Sequence, residues 1–145
     1  MILLFSLPAG GEFIIMLVLG LLLTKIFYVL ALQSTLKAIS IENRKMPARN
    51  VWLLLIPLFG TVWHFFIVSR LADSIKAEAI SKNILIGEPR PAYNIGIAMC
   101  ILNCLSVIPA INIYAAMASL ICWILYWVKI IGFKNVLLNA RTKLD

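Results

Sequence analysis

Acidic side chains are scarce in this sequence, with six Asp and Glu against thirteen Lys and Arg in 145 residues. The apolar stretches hold no pair of acids to grip a cation, and the single histidine, His64, cannot build a multi-His metal site. Gly-rich phosphate loops, G-x-S-x-G elbows, H-E-x-x-H helices and C-x-x-C pairs are all missing. The three cysteines, Cys100, Cys104 and Cys122, lie inside apolar segments and read as small packing residues, not as ligands or disulfide partners. No Lys or Arg precedes Lys25, so the start does not read as the positive region of a cleaved signal. The expectation is a protein that is not an enzyme and that uses no cofactor or metal.

What the sequence does have is apolar length. Hydrophobic residues make up 63% of it, against about 45–50% in soluble domains, and the mean hydropathy is +1.01. A chain this short cannot bury that much apolar surface in one water-soluble core. The expected class is an all-α integral membrane protein forming a single membrane domain over residues 1–145. The net charge of +7 falls beside the apolar runs and not along a soluble face. It therefore points to the positive-inside rule and anionic lipid headgroups, with no nucleic acid.

A short apolar tip ends in Pro8-Ala9-Gly10-Gly11. Residues 13–32 form the first span, opened by Glu12 with the favourable sign for a helix N-terminus, and ~20 residues suffice for a ~30 Å hydrocarbon core. The helix is expected to run on amphipathically and stop before Asn43, ahead of Met46-Pro47. Residues 51–69 are apolar but broken by Pro57 and Gly60. In a straight helix Trp52 and Trp63 would lie ~17 Å apart in depth. Folding the stretch back at the break brings them and His64 to one interface. Residues 70–86 read as an amphipathic interfacial helix with the stripe Val68, Leu71, Ala72, Ile75 and Ala79. Residues 93–108 and 110–128 are two further spans in an antiparallel hairpin around Pro109. Gly96, Cys100 and Cys104 on one side, and Ala115 and Ser119 on the other, let the backbones approach. Residues 129–145 read as a basic polar tail.

The basic residues fall between Lys25 and Arg90 and again from Lys129 to Lys143, with none in the Pro109 turn. If residues 51–69 do not cross fully, every basic block except Lys25 shares one side, as the positive-inside rule prefers. The expected fold is three transmembrane helices plus a re-entrant or Pro-kinked apolar segment, with four transmembrane helices as the alternative. The basic loops and the C-terminus would then be cytoplasmic.

Seven residues stand out as candidates. Lys25 is the costliest if buried, and either snorkels toward the basic face or serves as an ion-pair or relay element. Pro57 and Gly60 make the break. His64 suits helix packing or an interface, with pH sensing as the sharper alternative. Arg70 and Asp73, spaced i, i+3 with Lys76 beyond, form a solvated charge network or a headgroup-docking face. Asn103 suits a hydrogen bond between helices.

The run Arg44-x-x-Pro47-x4-Trp52-x3-Ile56-Pro57-Leu58-Phe59, with Trp63 and the charged LADSIKAE helix behind it, resembles a family of small uncharacterised bacterial multi-pass membrane proteins. In that pattern an Arg-x-x-Pro loop precedes a Pro-broken apolar segment, and Gly60 stands here where Asn is common. The resemblance covers residues 44–78 and implies a bacterial cytoplasmic membrane protein without implying an activity. The expected function is a non-enzymatic accessory or scaffold protein. It would bind partner helices, as a homo-oligomer or with another membrane protein, or hold anionic lipid. The alternative is an oligomeric transporter or channel whose polar path uses Lys25, Asn103 and the broken segment as gate.

Overall fold

The computed structural model describes residues 11–143, which are helical throughout their regular parts, with no strand among the described residues. The expected apolar tip before Gly11 and the last two residues of the tail lie outside the described residues. Four α-helices carry the fold: α1 (Gly11–Ala38), α2 (Phe59–Ser81), α3 (Tyr93–Leu105) and α4 (Asn112–Thr142), with 3₁₀ segments at Ile41–Asn43 and Ala48–Leu55.

The first helix, α1, combines an unbroken apolar run with Glu12 in its first turn and Lys37 in its last, both favourable to the helix dipole. Its 28 residues span ~42 Å. Together with α4 it is long and apolar enough to cross a membrane, and only 11% of the apolar window of either helix is buried. The core helix of a soluble protein would be mostly covered; Phe13, Met16, Leu19 and Leu23 on α1 and Ile113, Met117 and Ile121 on α4 are bare. From Tyr28 onward α1 enters a continuous core with Val29, Leu32, Leu36 and Ile39.

Two boundaries differ from the sequence reading. Residues 129–142 are not a separate polar tail but the last turns of α4. Ile130 and Leu137 are buried and Phe133 packs against the core; the spacing i, i+3, i+7 gives the basic stretch an apolar face that holds it in helix. The amphipathic helix expected over residues 70–86 does not lie with its stripe on a surface. As the expected continuation of the preceding segment it forms the second half of α2, but it stops at Ser81 and not at residue 86, with Asn83 in the left-handed region (φ 52°) and the Ile84 N–H donating to the Ala79 carbonyl at 2.8 Å. Its stripe, Val68, Leu71, Ala72, Ile75 and Ala79, is buried inside the protein, so the core of this molecule takes the place assigned to lipid.

The α3–α4 hairpin packs through small residues. A Cβ on Gly96 would meet Val68 Cγ1 at 2.5 Å and Tyr126 Cε2 at 2.8 Å, so only glycine fits where α2, α3 and α4 converge. Across the same pair Ser119 Oγ donates to the Met99 carbonyl at 3.3 Å. With 13 residues, α3 is ~20 Å long, shorter than the span expected over 93–108; the chain leaves the helix through turns at Ser106 to Ile111.

Candidate functional site: a cavity beneath the broken segment

The break is a chain reversal. Ile56 is extended (φ −75°, ψ 117°), as a residue before proline prefers. Leu58 then takes φ 64° and ψ −55°, and the Phe59 N–H donates to the Pro57 carbonyl at 2.7 Å. This is the rare, strained form of γ-turn, built on a leucine that is 88% exposed. Beyond it α2 returns against the 3₁₀ segment Ala48–Leu55. The Trp63 indole N–H donates to the Asn50 carbonyl at 3.0 Å, and Gly60 lies so close to the Leu54 carbonyl that a Cβ would collide with it. In a straight helix residues 50 and 63 would be ~20 Å apart.

The reversal roofs a cavity of about 570 Å³ between α1, the start of α2, the end of α3 and α4. On α1, Lys25 and Tyr28 share a helix face at i, i+3. Thr61 and His64 approach from α2, Asn103 from α3 and Ser119 from α4. The Tyr28 hydroxyl and His64 Nε2 share a hydrogen bond of 2.8 Å, their rings meeting edge-on at 5.7 Å. Tyr28 also gathers Trp123 and Trp127, at centroid distances of 5.2 and 5.7 Å, and of the two Trp123 shares the cavity lining with it. Val29 is buried just beyond it. No Asp or Glu lines the cavity among the described residues, and Lys25 makes no ion pair with them.

Five of the seven sequence candidates, Lys25, Pro57, Gly60, His64 and Asn103, therefore line one space. Two do not. Asp73 pairs with Arg90 (Nη2–Oδ1 2.9 Å) and not with Arg70 three residues away, because the loop after α2 swings Arg90 back over it. Arg90 also lies 3.8 Å from the Tyr93 ring centre, and Arg70 caps the Phe66 ring at 4.9 Å. The expected Arg70–Asp73–Lys76 network is thus replaced by one between α2 and the loop. Asn103 makes no side-chain bond between helices among the described residues; its backbone carbonyl accepts from Ser106 Oγ at 2.6 Å. Trp52 is exposed, Trp63 stacks between Phe59 and Phe66, and His64 turns inward to Tyr28.

One polar centre was missed by the sequence reading. Glu78 is 0% exposed and accepts hydrogen bonds from the Ser40 N–H (3.1 Å), Ser40 Oγ (2.9 Å) and Asn43 Nδ2 (2.7 Å), with Lys82 Nζ at 2.8 Å. Burial pushes its carboxyl up, but the bonds from Asn43, Lys82 and Ser40 outweigh that and hold it below the usual carboxylate range. The available signal was its position: with Leu71 and Ile75 at i−7 and i−3, Glu78 falls on the apolar stripe, and Lys82 stands at i+4. Nearby, Glu88 pairs with Lys129 and accepts from the Ala92 N–H at 2.9 Å, tying the α2–α3 loop to α4.

No family model matches the chain, and neither a search of curated proteins nor one of solved structures finds a match.

Proposed function

We propose that this chain is a non-enzymatic integral membrane protein whose cavity receives the charged end of an anionic amphiphile. One observation carries the reading: Lys25 borders a cavity of apolar and neutral polar groups with no acid to neutralise it among the described residues. A cation within an apolar helix is costly unless paired, and a carboxylate or phosphate would supply the partner while its chain lies along Val18, Leu21 and Leu22. In this arrangement α1, α3 and α4 cross the bilayer and the Pro57 segment re-enters it, roofing the cavity. The bare apolar faces of α1 and α4 meet lipid, a second copy or the helices of a partner protein. The likeness to small bacterial membrane proteins and a location in the cytoplasmic membrane, basic loops inward, belong to the same proposal.

Brominated long-chain fatty acid, which quenches indole fluorescence, tests this against the matching brominated alcohol. The acid should quench Trp123 more strongly than the alcohol. Lys25→Leu should abolish the difference, and Lys25→Arg should keep it. Equal quenching by acid and alcohol, or full binding by Lys25→Leu, would overturn the reading. A transport reading is favoured by one feature, the strained Leu58 turn poised over Lys25 and Asn103. It requires solute flux into liposomes that Lys25→Leu eliminates.

A further inference from the structure

A second recess lies at the other end of the same two helices. Its volume is about 510 Å³, and it runs between α1 and α4 past Phe27, Leu30 and Ile131 to Gln33, Lys37 and Lys134. Tyr28 meets Trp123, and Lys37 and Lys134 share the recess. The two helices therefore run parallel, and residues nine apart on α1 and eleven apart on α4 reach the same two levels. The recess is graded. Its first half is apolar, and its second half carries two lysines and two neutral polar side chains. No Asp or Glu lines it, and neither lysine has an ion-pair partner among the described residues. Trp127 forms part of its wall, and its buried indole N–H finds no acceptor among the described residues.

The geometry points to a specific site for an anionic phospholipid of the bilayer, its phosphate between Lys37 and Lys134 and one acyl chain along Phe27, Leu30 and Ile131. Charge complementarity and the apolar-to-basic gradient select this occupant. A zwitterionic lipid brings its own cation to the two lysines, and a second protein helix would bury both charges unpaired. Basic pockets between helices at the membrane boundary suit anionic headgroups. The site is separate from the Lys25 cavity, but it rests on the reading that α1 and α4 lie in a bilayer.

The test is native mass spectrometry of the full chain in detergent, titrated with phosphatidylglycerol or phosphatidylcholine. Phosphatidylglycerol should bind about tenfold more tightly. The preference should vanish in Lys37→Gln/Lys134→Gln and survive in Lys37→Arg/Lys134→Arg and in the exposed control Lys76→Gln. Equal binding of the two lipids, or an undiminished preference in the double Gln variant, would overturn the site. Displacement of the lipid by millimolar inorganic phosphate would also overturn it, by making the occupant a soluble anion. Should the double Gln variant lose helix content, Lys37→Glu carries the same test from an exposed position. Alkaline carbonate extraction of membranes separates the two readings. Release of the chain means the membrane reading fails; retention without lipid preference means that only the groove fails.

Discussion

Glu78 holds together two parts of the chain that are 38 residues apart at Ser40. A buried carboxylate with one partner would be a liability, but here four donor groups surround it, so the penalty of removing it falls on the donors left behind. Because its folded pKa lies below the ordinary value, the group binds protons less readily in the folded state than in the unfolded chain. The stability it contributes is therefore present above the ordinary carboxylate range and is lost as pH falls through the lowered value. Replacing it with Gln sets an amide against the Asn43 and Lys82 donors. Glu78→Gln should cost ~2–3 kcal/mol at neutral pH, and the gap to the parent should narrow as pH drops below the carboxylate range. Thermal unfolding in detergent across that range measures both. A gap that stays constant on acidification would show that Glu78 does not titrate within this network.

At the scale of elements, the broken segment was legible and the polar centre was not. Pro57 and Gly60 announce an interruption because each disfavours a regular helix in its own way, one by its ring and missing N–H and the other through the backbone freedom that its missing side chain leaves. The sense of the interruption comes from packing: Gly60 is needed because the Leu54 carbonyl occupies the space of its Cβ. Gly60→Ala should therefore cost ~1–3 kcal/mol, since backbone cannot yield as a flexible side chain can. Gly20 has nothing within 4 Å of its would-be Cβ, so Gly20→Ala should be neutral or stabilise by up to ~1 kcal/mol. Paired unfolding curves decide it; equal behaviour of the two variants would mean that the chain does not double back at this point. Residues 70–81 show the opposite limit. Periodicity reveals that an apolar stripe exists on Leu71, Ala72, Ile75 and Ala79, but not whether lipid or protein covers it. That depends on where α3 and the 3₁₀ segments arrive against α2. The same blindness hid the end of α4, where Lys129 and Lys134 draw the eye from Ile130, Phe133 and Leu137.

For the whole molecule, composition and the order of apolar runs conveyed the helical class, the long first helix and the turn at Pro109. The cavity was legible only as separate residues. Lys25, His64 and Asn103 stand on three different helices, and no spacing rule connects them; the reversal at Pro57 does. The charge distribution still ties the molecule together. Glu42, Lys76 and Thr142 are exposed near the basic blocks, and Ala110 is exposed in the turn that has none. If α1, α3 and α4 cross and the Pro57 segment returns to the side it left, the first three positions share one compartment and Ala110 faces the other. Single cysteines at these four sites, in a background with Cys100, Cys104 and Cys122 replaced by Ala, should therefore label in two groups with an impermeant thiol reagent. Glu42→Cys, Lys76→Cys and Thr142→Cys should react in inverted vesicles, and Ala110→Cys in intact cells. Labelling of Glu42→Cys and Lys76→Cys from opposite sides would make the Pro57 segment a full crossing. It would also split the basic blocks across the membrane, against their charge, and place the roof of the Lys25 cavity at the far surface instead of within the bilayer.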